Sequence, residues 1–210
     1  MATYIIMAVI AYFIGSINFS VIIGRKMAGI DVRQEGSGNA GSTNVLRTIG
    51  LKAALLTLIC DILKGIIAIL VALLIGNIVK NIDRALLVQL AGIFVILGHT
   101  FPIFFEFKGG KGVATALGVL LMSNWEIGLI CLVFALVIII ASRMVSMGAV
   151  GAAILFPVLT LFMNDNFIVA ASGMKYFIYS LILALIVIFN HRENIKRIMN
   201  GTENKIEFKK

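Results

Sequence analysis

Long uninterrupted apolar runs decide what this chain can fold into. Residues 2–24, 52–76, 84–103, 126–142, 146–163 and 174–190 are almost wholly hydrocarbon, and 112–123 is a shorter run of the same kind. A helix needs roughly 20 apolar residues to cross a hydrocarbon layer about 30 Å thick. In lipid each backbone N–H and C=O has to find its partner within the protein, which leaves helices or a closed barrel. Barrel strands alternate apolar and polar residues, and these runs do not. The expectation is an all-α integral membrane protein with seven transmembrane helices, one of them short. The run 112–123 is too short to span alone and reads as a half-span packed against its neighbours. The connections are too short to fold by themselves, so residues 1–210 read as a single domain.

Composition agrees: 60% of residues are hydrophobic and 13% charged, against about half and about a quarter in soluble domains. The net charge of +8 has an explanation other than nucleic acid, because Lys and Arg gather in every second loop, as in cytoplasmic loops of membrane proteins. With the N-terminus outside and the C-terminus cytoplasmic, the inside pieces carry Arg25, Lys26, Arg33, Arg47, Lys52, Lys108, Lys111, Arg143, Arg192, Lys196, Arg197, Lys205, Lys209 and Lys210. The outside pieces carry only Lys80, Arg84 and Lys175, and Trp125 falls at the outer interface. Residues 1–24 hold no Lys or Arg, so the first run reads as a retained helix rather than a cleavable signal. Cys60 and Cys131 lie in apolar runs and read as small core residues.

Polar chemistry concentrates on the inside face. Gly36-Ser37-Gly38-Asn39-Ala40-Gly41-Ser42-Thr43-Asn44, followed by Arg47, is a loop of small donors. Ser42-Thr43-Asn44 is expected to cap the next helix, with Arg47 one turn on. The loop suits a phosphate held by small donors and an Arg fork, or is a flexible surface loop. Gly98-His99-Thr100-Phe101-Pro102 leads to Phe107-Lys108-Gly109-Gly110-Lys111-Gly112-Val113-Ala114. Its glycines would let backbone N–H groups approach an anion at the positive end of the following helix. The alternative is a basic turn with a glycine bend, and His99 as a structural histidine. The tail, Asn190-His191-Arg192-Glu193-Asn194-Ile195-Lys196-Arg197 then Gly201-Thr202-Glu203, puts His191, Asn194 and Ile195 on one face if the last helix continues. It also reads as a basic segment holding anionic lipid heads. Asp61 and Lys64 stand one turn apart within a span, a functional pair or a structural one facing the bundle interior.

Several chemistries are excluded. Gly rather than Ser or Thr follows Lys111, so the Walker pattern fails. There is no His–Cys metal spacing and no Gly-x-Ser-x-Gly elbow. Four residues beyond His99 and His191 stand Ile103 and Ile195, so a local His–Asp acyltransfer dyad of that spacing is absent.

The three stretches together resemble the signature motifs of the bacterial membrane acyltransferases that use acyl phosphate to acylate glycerol 3-phosphate. The first spans Gly36 to Asn44 with Arg47, the second Gly98-His99 to Thr115, and the third His191-Arg192 with Asn194, Arg197, Gly201 and Glu203. Asp61 and Lys64-Gly65 are similar to that family's Asp-x-x-Lys-Gly. Asn18 and Ser20 stand where relatives often carry Pro and Gly, and Ser42 where Ala is common. The resemblance implies transfer of a fatty acyl group from acyl phosphate to the 1-hydroxyl of glycerol 3-phosphate, giving lysophosphatidate and inorganic phosphate. It implies Ser37, Arg47, His191 and Asn194 as catalytic residues. As binding residues it implies Gly38, Asn39, Ser42, Thr43, Asn44, His99, Lys108, Gly109, Gly110, Lys111, Gly112, Arg192 and Glu203. No metal, cofactor, nucleic acid or obligatory protein partner is expected. The partners are the two substrates and membrane lipid, at a site on the cytoplasmic face of a bacterial plasma (inner) membrane. A small organophosphate transporter is the alternative reading.

Overall fold

A computed structural model describes residues 1–163, 168 and 173–206, and among these every regular element is helical. The order is α1 (Ala2–Ser16), α2 (Phe19–Ala28), α3 (Ser42–Thr48), α4 (Leu51–Ile78), α5 (Arg84–Thr100), a 3-10 turn (Ile103–Phe105), α6 (Val113–Ser123), α7 (Trp125–Ser142), α8 (Val145–Phe162), α9 (Gly173–Asn190) and α10 (Arg192–Met199). Among the described residues six stretches are long and apolar enough to cross a membrane: Ala2–Ala28, Leu51–Ile78, Arg84–Phe105, α7, α8 and α9. The short apolar helix is α6, with 11 residues, or about 16 Å of rise. Lys209 and Lys210, assigned above to the inside tail, lie outside the described residues.

The chain divides into two compact units, Met1–Ser123 and Asn124–Lys210. In the first, α4 shows how lipid as solvent shapes a helix. Leu55, Ile59, Leu63, Ile67, Leu70 and Leu74 form an exposed stripe at helical spacing, while Ala53, Thr57, Asp61, Lys64, Gly65, Ala68 and Ala72 are buried. The large apolar groups face outward and the small and polar ones inward, the reverse of a water-soluble helix. Backbones touch at glycines. A side chain on Gly15 of α1 would strike the Val95 carbonyl of α5, and one on Gly98 of α5 the Tyr12 carbonyl of α1. Gly65 of α4 and Gly118 of α6 make the same exchange with the carbonyls of Thr115 and Ile62. Apolar tails offer helices no hydrophobic drive to associate, so close backbone contact carries the packing.

The first span departs from the continuous helix expected over 2–24. It breaks at Ile17, and Asn18 starts α2 as its N-cap, with Oδ1 accepting from the Val21 N–H at 3.3 Å and from the Ser20 hydroxyl at 2.7 Å. Asn18 and Ser20 thus supply a side-chain cap at the break. The freed Ile17 carbonyl accepts from Lys64 Nζ at 2.9 Å, which satisfies that group, while Asn18 Nδ2 beside it is buried without a hydrogen-bond partner among the described residues. The run expected over 84–103 likewise ends as a helix at Thr100, and the 3-10 turn follows Pro102.

In the second unit, Asn124 caps α7 by accepting from the Ile127 N–H at 3.1 Å. Tyr176 and Tyr179 of α9 stack with centroids 6.2 Å apart, and Phe156 of α8 meets both edge-on. Pro157 sits within α8, and the Thr160 hydroxyl returns to its carbonyl at 2.8 Å.

Candidate active site

The loop between α2 and α3 is built on one buried amide. Asn44, 2% exposed, donates from Nδ2 to the carbonyls of Val32 at 2.7 Å and Glu35 at 3.0 Å, and accepts from the Ser37 N–H at 2.9 Å. Gly36 and Gly38 take positive φ, +58° and +69°, where L side chains are strained. Asn44 is therefore the scaffold of the loop, and Ser37, Gly38 and Arg47 are what it leaves exposed. Among the described residues Arg47 forms no ion pair. The cap expected from Ser42-Thr43-Asn44 is not made: Gly41 occupies the N-cap without a side-chain bond, and Ser42 and Thr43 open the first turn. Asn39 stays beside Gly41, whose N–H bonds to its carbonyl at 3.0 Å.

Asp31 and Arg33 were not singled out in the sequence, although an Asp two residues before an Arg in a glycine-rich loop is a local signal for such a pair. Arg33 donates Nε and Nη2 to the two carboxylate oxygens of Asp31 at 3.0 and 2.8 Å, and Arg25 adds Nη2 at 2.8 Å. The hydrogen bonds from Arg33 outweigh the upward push of burial and hold the Asp31 carboxyl well below the usual range. The same pairing raises the Arg33 guanidinium. Arg33 Nη1 reaches the Phe105 carbonyl at 2.8 Å, tying this loop to the glycine–lysine loop some seventy residues on.

That second loop turns sharply. The Pro102 carbonyl accepts from Phe105 and Phe107 at 3.1 and 3.0 Å, and Glu106 and Phe107 both take φ +58°. Gly109 and Gly110 donate their N–H groups to the carbonyls of Thr100 and His99, each at 3.1 Å. Those donors close the end of α5 and are spent, which corrects the expectation that they approach an anion. The cations of this loop are Lys108 and Lys111, ahead of the positive first turn of α6. Lys108 is 73% exposed and 3.3 Å from Glu106; Lys111 is half-buried. Gly112 turns with φ +85°, and its carbonyl accepts from Ala116 to start α6. A side chain on Gly110 would strike the His99 imidazole at Nε2 and come within 2.6 Å of the Ala40 carbonyl. The first two motifs, distant in sequence, are thus packed together in one unit.

His99 is buried beneath this contact. Its Nδ1 lies 3.5 Å from Asp61 Oδ1, and Lys64 Nζ is 2.9 Å from the same oxygen.

The tail forms its own cluster in the second unit. The last helix does not run straight on: α9 ends at Asn190, His191 makes a turn, and α10 follows. His191 is 3% exposed, and its Nδ1 lies 2.8 Å from the Val187 carbonyl. A carbonyl only accepts, so Nδ1 carries the hydrogen in this bond and Nε2 is the nitrogen able to hold a lone pair. Gly201, with φ +69°, folds the chain back. Glu203 then accepts from Asn194 Nδ2 at 2.7 Å, Ser146 Oγ at 2.9 Å and Arg197 Nε at 2.8 Å, its side chain 4% exposed. Burial pushes the Glu203 carboxyl up, but these three donors outweigh it and hold it below the usual range. Ser146 carried no signal in the sequence, since a serine near the start of an apolar helix is ordinary. Arg192 lies 4.5 Å over the Phe189 ring and donates to the Phe189 carbonyl at 3.1 Å.

Comparison with known proteins identifies the family of the chain. The family model described as glycerol-3-phosphate acyltransferase matches residues 5–201. The chain is 43% identical over 208 residues to the glycerol-3-phosphate acyltransferase of Clostridioides difficile (strain 630), covering 99% of this chain and 98% of that one. It is 42% identical over 203 residues to the enzyme of the same name from Thermoanaerobacter sp. (strain X514), covering 96% and 95%. Among solved structures it resembles PlsY (YgiH), an integral membrane glycerol 3-phosphate acyltransferase, in its glycerol 3-phosphate form, with a TM-score of 0.83, 36% identity and coverage of 97% and 96%. The lysophosphatidic acid form of PlsY gives a TM-score of 0.82 at 35% identity, covering 97% and 95%.

Proposed function

The chain belongs to the glycerol-3-phosphate acyltransferase family, and from that premise we propose that it moves a fatty acyl group from acyl phosphate to the 1-hydroxyl of glycerol 3-phosphate, releasing lysophosphatidate and inorganic phosphate. The observation that carries this reading is the packing of Gly110 against Ala40 and His99, which gathers two donor-rich loops and the cations Arg47, Lys108 and Lys111 in one unit. Both substrates carry phosphate, and bringing two phosphates together without cations is strongly repulsive. The family match extends over both compact units, which supports reading residues 1–210 as one acyltransferase. The loop charges support an N-terminus outside, a cytoplasmic C-terminus and chemistry on the cytoplasmic face of a bacterial inner membrane.

Acyl phosphate is already activated, so positioning and electrostatic stabilisation can carry the rate without an acyl-enzyme. The glycerol hydroxyl attacks the acyl carbonyl directly, the C–O bond to phosphate breaks, and inorganic phosphate leaves. Arg47 and Lys111 hold phosphate, assisted by Lys108, Ser42, Thr43 and the first turn of α6; in the second unit Arg192 is a binding residue by the family resemblance. Ser37, Gly38 and Asn39 line the first loop toward substrate, and Asn44, Gly109, Gly110 and Gly112 give the two loops their shape. His191 is the candidate proton acceptor through Nε2, and Asn194 orients substrate. Glu203 is a positioning residue, since its carboxylate is committed to Asn194, Ser146 and Arg197 and repels phosphate.

The test is release of inorganic phosphate by purified protein in lipid, given palmitoyl phosphate and glycerol 3-phosphate. Release that requires both substrates, accompanies a lysophosphatidate product and is lost in Lys111→Ala is the expected result. No turnover by folded protein, with uptake of labelled glycerol 3-phosphate into liposomes instead, would establish the transporter.

A further inference from the structure

Asp61 and Lys64 are each 2% exposed, inside a helix that crosses apolar surroundings. A buried ion pair is weak evidence for stability, because an apolar pair of similar volume is often as stable or more so. Their presence therefore needs another account, and their neighbours supply one. Asp61 Oδ1 faces His99 Nδ1 at 3.5 Å, beyond a formed hydrogen bond, and, the Lys64 ion pair aside, both atoms are buried with no hydrogen-bond partner elsewhere among the described residues. A carboxylate can only accept, so this neighbour favours the tautomer with hydrogen on Nδ1 and a bare Nε2. The bare nitrogen is the edge of the ring that packs on Gly110. On the other side, Lys64 Nζ holds the Ile17 carbonyl at 2.9 Å and sits 5.8 Å from the centre of the Phe19 ring. One pair thereby fixes both the break in the first span and the imidazole under the glycine–lysine loop.

We propose that Asp61 and Lys64 are positioning residues that lock His99 with Nε2 as a hydrogen-bond acceptor, so that His99 recognises a hydroxyl of glycerol 3-phosphate rather than its phosphate. A bare imidazole nitrogen accepts from an O–H and has nothing to offer a phosphate oxygen. The inference rests on the proposed acyl transfer and adds a division of labour within it: cations and the first turn of α6 for the phosphate, His99 for the alcohol.

The chain has two histidines, so nitrogen-labelled histidine NMR reads His99 directly, with His191→Gln assigning the other ring. The expected native spectrum shows His99 with Nδ1 protonated and Nε2 bare; an Nε2–H tautomer or a doubly protonated ring overturns the proposal. In the apolar double variant Asp61→Leu/Lys64→Met, the tautomer preference should be lost. The KM for glycerol 3-phosphate should rise about tenfold, as for one lost oriented hydrogen bond, with kcat and the KM for acyl phosphate nearly unchanged. Unchanged KM for glycerol 3-phosphate in folded protein reduces the pair to a structural role and overturns the proposal. If the double variant does not fold, the native spectrum decides without it. Absence of acyl transfer by the native protein would overturn the functional reading instead, while the spectrum still decides the tautomer.

Discussion

The loop before α3 and the tail after α9 solve the same problem with opposite chemistry. Each is irregular backbone held in shape by one enclosed side chain that gathers three hydrogen bonds. In the loop that side chain is the neutral amide of Asn44; in the tail it is the carboxylate of Glu203. A neutral scaffold consumes no cation, and Arg47 remains exposed and without an ion pair among the described residues. An anionic scaffold consumes one, and Arg197 is bound to Glu203 at 2.8 Å. The loop thus keeps its positive charge for an incoming anion, whereas the tail neutralises its own and presents oriented polar groups.

Disturbing the packing of the two motif loops should have the largest effect. Gly110→Ala drives a methyl into the His99 ring and toward the Ala40 carbonyl, and kcat/KM for acyl transfer should fall by about 10²-fold, as when a site is displaced by about 1 Å. Next comes reversal of the scaffold chemistry. Asn44→Asp turns a double donor into an acceptor facing two carbonyls, and should lower thermal stability by about 1–3 kcal/mol, with activity falling alongside. The mirror exchange, Glu203→Gln, frees Arg197 and should cost less, about tenfold in kcat/KM. If the two exchanges have equal effects, the contrast between the scaffolds is not functional.

Acid sharpens the same contrast. The folded carboxyls of Asp31 and Glu203 are both lowered, so each contributes stability that is complete above its ordinary unfolded pKa, near 4. That contribution is lost as pH falls through the depressed folded value. Protease cleavage in the tail, followed by mass spectrometry, should increase below about pH 4 in the native protein. In Glu203→Gln this acid-dependent step should vanish. The smallest effect belongs to Arg192→Ala. Its guanidinium rests on an exposed ring, a contact of about 0.5–1 kcal/mol, and the KM for glycerol 3-phosphate should rise only a fewfold.

Much of the architecture could be read from hydrophobicity, because in lipid the solvent-facing and the interior residues are both apolar and a span appears as one unbroken run. The same uniformity hides where a span bends. No Pro marks the break at Ile17, the Gly15 just before it also serves the contact with α5, and an asparagine in an apolar run announces a cap only once its partners, Ser20 and Val21, are placed around it. The motif loops were visible as glycine, lysine and asparagine clusters, but not which donors they spend on themselves. Gly109 and Gly110 look like anion ligands until the carbonyls of His99 and Thr100 claim them. Asp61 stood out as an intramembrane charge, yet its link to His99 depends on α4 lying beside α5, which no local spacing encodes.

The two faces of α4 also divide what evolution can do with this helix. Along the outer stripe from Leu55 to Leu74, one large hydrocarbon side chain serves as well as another, so that face can wander among Leu, Ile, Val and Phe with little consequence. At Gly65 there is no neighbouring solution, because even one added carbon meets the backbone of α6. A library randomised across α4 should return a sequence record that is nearly silent on one side of the helix and nearly invariant on the other, and the boundary between them would trace the helix's orientation without any structure in hand.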